Sequence, residues 1–210
     1  EIAIDLETCD PNLNHHMGSG SIIQEGKIVG ISVATNDYCR YFPFDHEGGG
    51  NMEPARVLSW FRDLLKNDAV KIFHNAMYDV CWIRSMGMEI NGLIVDTMIA
   101  TSLVDENRMR YDLNSVGKEY LGYGKDELAL QTAAKEWGIN PKAEMWRLPA
   151  LYVGNYAEKD ARVTYDLWQK LKQEIINQDV ESIFNLETDL FPCLVDMRFK
   201  GVRVQVEKAN

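Results

Sequence analysis

The side chains best equipped for chemistry in this sequence are carboxylates set at short, regular spacings. Asp5 and Glu7 stand two apart in the opening run Glu1-Ile2-Ala3-Ile4-Asp5-Leu6-Glu7-Thr8. Ile2, Ile4 and Leu6 alternate with Ala3, Asp5 and Glu7, the period-2 signature of a β-strand. The two acids therefore share one face, while the aliphatics hold the other in a core. Adjacent carboxylates repel unless a cation lies between them, and oxygen donors suit a hard divalent metal. The plain alternative is an acidic, solvated strand face, since Asp-x-Glu on its own is a common pattern.

Two further constellations offer the remaining ligands. In His74-Asn75-Ala76-Met77-Tyr78-Asp79 the chain leaves an apolar stretch and opens a helix. Asn75 is placed as its N-cap, and Asp79, four residues on, points in a similar direction. Without a metal this is a capped helix carrying an acid where the helix dipole favours one, and His74 suits a structural hydrogen bond as well as a site. In Tyr156-Ala157-Glu158-Lys159-Asp160, Tyr156 and Asp160 fall on one helical face that continues through Val163, Leu167 and Leu171. An ionised acid on such a core-facing stripe needs a partner. Glu158 and Lys159 lie off that face and are expected in solvent.

These side chains need a scaffold, and the remaining pattern supplies one. Lys27 to Ala34 and Tyr38 to Phe44 read as strands joined by a turn at Thr35-Asn36-Asp37, with Val70 to Phe73 and Leu93 to Val95 as shorter ones. Helical periodicity marks Glu53 to Lys66, Ala76 to Met86, a run from Thr97, another around Leu113 to Leu121, and Asp126 to Trp137. It returns from Pro149 to Ile176, with an interruption expected near Gly154. Cys9 to Glu25, with Pro11, His15, His16, Gly18 and Gly20, has the composition of an exposed loop. Strands first, then strands alternating with helices, predict an α/β fold with a mixed central sheet.

Bulk properties narrow the class. The 210 residues allow one large domain, alone or with an appendage, and the hydrophobic and charged fractions of 46% and 26% are those of a globular protein. No apolar run approaches the roughly 18 residues of a membrane span, and no signal peptide is evident. The start at Glu1 without a methionine is expected of a trimmed fragment. Cys9, Cys39, Cys81 and Cys193 form no Cys-x-x-Cys pair and are expected as reduced thiols. The expected setting is the cytoplasm, of a host cell if the source is viral. The net charge of −10 lacks the basic footprint of a general nucleic-acid binder. A metal-dependent nuclease is exempt, because its ions rather than its surface meet the phosphate.

Asp5/Glu7 on a strand, Asp79 four residues after Asn75, and Asp160 four residues after Tyr156 together resemble the three motifs of the DEDD exonuclease superfamily, in order. Tyr156 sits four before the last acid, and the position five before it is Asn155, so the resemblance is to the tyrosine (DEDDy) branch. Thr8 and the pair Asp96-Thr97 also look like family features, Asp96 in a structural role. Farther on, Glu187-Thr188-Asp189-Leu190-Phe191-Pro192-Cys193-Leu194-Val195-Asp196-Met197 leads to Gly201-Val202-Arg203-Val204. On its own this is an amphipathic helix turning into a strand. With the run Tyr156 to Leu171, it resembles the junction between proofreading exonuclease and polymerase in family A (DNA polymerase I type) enzymes. The stretches Pro11 to Glu25 and Tyr123 to Trp146 depart from a compact version of that domain.

The resemblance implies a ribonuclease H-like α/β fold, with residues 1–178 as exonuclease domain and 179–210 as connecting helix and start of a missing polymerase domain. It implies hydrolysis of a single-stranded or frayed DNA 3′ end. Two Mg²⁺ or Mn²⁺ ions, roughly 4 Å apart, would be held by Asp5, Glu7, Asp79 and Asp160. Tyr156 would orient the attacking water, since a phenol titrating near pH 10 is a poor base at neutral pH. Thr8 and Asn75 would touch the terminal nucleotide, and Leu13 would wedge against its base. Two alternatives stay open: a free-standing DEDDy exoribonuclease, and a catalytically silent nucleic-acid-binding module.

Overall fold

A computed structural model describes residues 1–12, 20–124 and 127–209. Its sheet is built from β1 (Ile2–Cys9), β2 (Lys27–Ala34), β3 (Cys39–Pro43), β4 (Lys71–Phe73) and β5 (Ile94–Asp96), in the order β3-β2-β1-β4-β5. The first three strands are antiparallel neighbours, while β4 and β5 run parallel to β1. The sheet is therefore mixed, as the strand-then-alternation pattern predicts. β1 lies at its centre, and its register against β2 slips between Glu7 and Thr8. Such irregularities re-aim side chains, and this one falls at the second candidate ligand.

The helices are α1 (Gly20–Ile23), α2 (Pro54–Lys66), α3 (Ala76–Ser85), α4 (Thr97–Val104), α5 (Leu113–Leu121), α6 (Leu128–Trp137), α7 (Ala150–Asn177), α8 (Glu181–Lys200) and α9 (Val206–Ala209). They cover both faces of the sheet. Ile4 and Leu6 on one face pack into a core with Phe61 and Leu65 of α2 and Val80 and Ile83 of α3. Ala3 on the opposite face packs with Ile72, Val95 and the α7 residues Ala161, Val163, Leu167 and Leu171. Asp5 and Glu7 belong by alternation to this second face, so the strand aims them under α7. Ala157 and Ala161 are fully buried to either side of Asp160, and small side chains there let the helix backbone come down close to the sheet.

Several local expectations are revised. α7 runs unbroken through Gly154: a mid-helix glycine costs about 1 kcal/mol, less than the burial of α7 on either side supplies. Gly201 to Val204 forms no strand, and Val202 and Val204 are exposed, because an alternating pair of valines finds no partner strand among the described residues. Glu158 and Lys159 are half-buried rather than solvated. The Glu158 side chain accepts the Tyr41 backbone N–H of edge strand β3 at 3.1 Å, and Lys159 Nζ sits 4.2 Å from the Tyr123 ring centroid. Lys71 is fully buried, its ammonium donating to the Asn67 side chain at 3.0 Å and the Asn91 carbonyl at 2.8 Å. α8 returns to the body, burying Phe184, Phe191 and Val195 and leaving Ile183, Leu186 and Leu190 exposed. No helix among the described residues is long and apolar enough to cross a membrane.

Candidate active site

Three elements converge at one end of the central strand. β1 supplies Asp5 and Glu7, the first turn of α3 supplies Asp79, and α7 supplies Tyr156 and Asp160. Glu7, Asp79 and Asp160 are all buried, at 7%, 5% and 2% exposure, so three carboxylates lie out of bulk water in one small region. The link between β1 and α3 is direct: Asp79 Oδ1 accepts the Leu6 backbone N–H at 3.0 Å, which seats Asp79 beside Asp5.

The electrostatics follow from that crowding. Burial first, then the charge on Asp5, pushes the Asp79 carboxyl well above the usual carboxylate range, and the Leu6 N–H only partly offsets them. Burial, then Asp160, Glu7 and Asp5 in turn, drives the Tyr156 phenol far above its ordinary value. Tyr156 thus stays protonated, and all four motif acids act on one neighbourhood.

The contacts around them were less predictable. Asn75 holds a left-handed backbone at φ 64° and makes no side-chain cap for α3. That cap comes from Asp96, whose two oxygens accept the Asn75 and Ala76 N–H groups at 3.0 and 2.8 Å while also capping α4 through Met98 at 2.8 Å. Spacing along the chain cannot reveal a cap delivered from another strand. His74 is spent structurally, with Nδ1 2.9 Å from Thr97 Oγ1 and Nε2 2.8 Å from the Tyr111 carbonyl. Thr8 Oγ1 lies 2.6 Å from Tyr78 Oη. Leu13, like His15 and His16, lies outside the described residues.

Asp5 and Glu7 open onto a cleft of about 910 Å³ that also brings together Thr8, Asn75 and Tyr156, while Asp79 and Asp160 are buried and do not line it. Its lining adds Tyr78, Arg110, Lys142 and Met145, which sequence reasoning missed. The pair Arg108 and Arg110 in so acidic a chain was the available signal. Among the described residues no group of three or more His, Cys, Asp or Glu side chains is drawn into a closed metal shell. The donor set nonetheless fits a hard divalent ion: all oxygen, mostly buried, and strongly like-charged.

Residues 1–176 match the family model described as 3′–5′ exonuclease. The chain belongs to that family. The exonuclease is 36% identical across its full length to a DNA-directed DNA polymerase of Pseudomonas phage M6, of which it covers 32%. It is 32% identical to DNA polymerase DpoZ of Acinetobacter phage SH-Ab 15497, over 89% of this chain and 30% of that protein. It therefore spans about a third of each of these two relatives and corresponds to the exonuclease domain of such polymerases. In fold it resembles Brucella melitensis NrnC with bound Mg²⁺, at a TM-score of 0.66 and 16% identity, over 95% of this chain and 85% of that one. That likeness places the exonuclease among ribonuclease H-like folds.

Proposed function

We propose that this exonuclease domain removes nucleotides one at a time from single-stranded or frayed DNA 3′ ends, as the proofreading part of a family A DNA polymerase acting in the cytoplasm. The observation that carries the reading is the burial of Glu7, Asp79 and Asp160 together with Asp5 around a protonated Tyr156. Such a cluster is costly in an apo fold and useful only to a site that takes cations.

Asp5, Glu7, Asp79 and Asp160 would hold a pair of divalent cations, Mg²⁺ or Mn²⁺, whose chemistry is to acidify water and neutralise phosphate charge. The presence of Mg²⁺ in Brucella melitensis NrnC, a likeness in fold only, is compatible with that assignment. Tyr156, unable to ionise in this surrounding, orients the attacking water through its hydroxyl rather than taking its proton. Arg110 and Lys142 on the cleft lining place two cations where an incoming phosphate backbone needs them. Thr8 and Asn75 face the same space and are assigned to the terminal nucleotide. Residues 1–178 form the exonuclease domain and 179–210 lead to the polymerase domain, a division supported by a family match ending at 176 and by relatives about three times as long.

The test is a gel assay on 5′-labelled single-stranded DNA and its RNA counterpart, with Mg²⁺ or Mn²⁺, EDTA, and an Asp160→Ala control. A metal-dependent ladder shortening from the 3′ end of DNA, lost in the variant, is the expected result. A ladder on RNA alone transfers the function to an exoribonuclease. No ladder on either overturns the enzymatic reading in favour of a binding module.

A further inference from the structure

His46 is buried at 3% exposure, and nothing in the site described so far uses it. Its partner is Tyr41 of β3. Asp5 pairs with Ser32 and Ser32 with Tyr41, so Tyr41 stands on the cross-strand row of the first acid. Its ring leans over Gly30, the cross-strand partner of Glu7: a methyl group added at Gly30 would fall 2.0 Å from Tyr41 Oη. The phenol is thus laid across the bare position between β3 and the acids. Burial, then Glu7 and Asp5, keep it protonated. A buried O–H in such a place needs an acceptor, and a carboxylate would be a strong one.

The acceptor it has is an imidazole. Tyr41 Oη lies 2.5 Å from His46 Nε2. His46 Nδ1 lies 3.1 Å from the Leu148 carbonyl, which can only accept. Nδ1 therefore carries the ring proton, and since burial disfavours a charged ring, Nε2 is left to accept the phenol proton. The same loop grips the segment leading into α7: Glu47 N–H donates to the Trp146 carbonyl at 3.0 Å, and Ala150 N–H to the Gly49 carbonyl at 3.0 Å.

We propose that His46 is a positioning residue for the carboxylate site: by accepting the Tyr41 hydroxyl proton it keeps that proton off Glu7, leaving the carboxylate to a divalent cation. The inference rests on Glu7 being a metal ligand. It differs from a packing role, because it assigns the harm of losing His46 to a proton that Tyr41 then brings to the carboxylate.

Calorimetric titration with Mn²⁺ tests it on the chain as it stands, with circular dichroism checking that each variant is folded. His46→Phe should weaken Mn²⁺ binding about tenfold, the scale of loss when a support of a metal ligand is removed. Tyr41→Phe/His46→Phe, which has no proton to redirect, should return to within about twofold of the parent. A double variant as weak as His46→Phe, or a His46→Phe that binds like the parent, overturns the proposal. Should His46→Phe fail to fold, Tyr41→Phe alone decides: unchanged Mn²⁺ binding supports the proposal and a tenfold loss overturns it. Failure of the metal reading itself looks different, because the parent would then bind no Mn²⁺, or Asp160→Ala would bind it equally well.

Discussion

Asp79 and Asp96 are the same residue type at nearly the same burial, 5% and 6% exposed, each placed where a strand gives way to a helix. Their surroundings are opposite. Asp96 receives backbone N–H groups from Asn75, Ala76 and Met98, so that burial pushes its carboxyl up while these donors and the Ile99 N–H pull it back. Asp79 receives two, from Leu6 and from its own N–H, and lies under the charges of Asp5 and, more weakly, Asp96 itself. Burial cannot distinguish a structural carboxylate from one assembled for chemistry. The identity of its neighbours can: Asp96 is answered mainly by dipoles and Asp79 by like charge, and a group of the second kind costs the fold stability that a bound cation would return.

The sharpest way to break the comparison is to delete one acid from the cluster. Asp160→Ala should reduce exonuclease turnover by about 10³-fold or more, since it takes a proposed ligand out of the electrostatic machinery. The assay is single-turnover degradation of a labelled oligonucleotide at saturating Mn²⁺. Tyr156→Phe comes next. It removes the hydroxyl proposed to orient the attacking water, and a loss of roughly 10²-fold is expected. The pH–rate profile should keep its shape, because a phenol ordinarily titrates near pH 10 and burial only raises it, so Tyr156 contributes no titration near neutrality. A profile that changed limb on Tyr156→Phe would return Tyr156 to the role of base.

How much of this was visible in the sequence follows the same division. Asp5, Glu7 and Tyr156 line one cleft, and Asp79 and Asp160 lie buried on the elements beside it, because period and spacing are local properties and each acid sits on an element whose buried face the pattern already marks. The mixed sheet was legible for the same reason. What escaped was every contact made across elements. Asn75 looked like its own cap, yet Asp96, twenty-one residues later, does that work. Glu158 looked solvated by its helix face, yet the free edge of β3 offers it the Tyr41 N–H. His46 carried no signal at all, since its role needs both the register that lays Tyr41 over Gly30 and the turn that brings Leu148 alongside.

Asp96 sharpens the comparison from the structural side. Asp96→Ala strands three N–H groups, that of Ala76 buried and those of Asn75 and Met98 partly so, and a loss of about 3–5 kcal/mol is expected. For a domain of this size that lowers Tm by roughly 10 °C, measured by calorimetry in EDTA. The metal dependence of the remaining activity should not move. If instead Asp96→Ala shifted the Mn²⁺ midpoint as Asp160→Ala does, Asp96 would belong with the cluster and the contrast would fail.

The smallest effect is the most diagnostic. Asp79→Asn keeps an oxygen to accept the Leu6 N–H and removes only the charge. The Asp79 carboxyl titrates higher in the folded chain than in the unfolded one, so the folded state binds the extra proton. Its contribution to stability is therefore present at low pH and lost as pH rises through the folded value, leaving the apo domain weakest on the alkaline side. Asp79→Asn should flatten that dependence and raise Tm in EDTA at pH 8 by about 2–4 °C for each 1 kcal/mol relieved. Mn²⁺ should raise the Tm of the parent by mass action and that of Asp79→Asn by less. Asp96→Asn under the same conditions should lower Tm, because one of its N–H donors loses an acceptor. Opposite signs for one chemical change at two equally buried aspartates would establish that the cluster is held together against its own repulsion. Equal signs would mean that Asp79, like Asp96, is there to hold a helix.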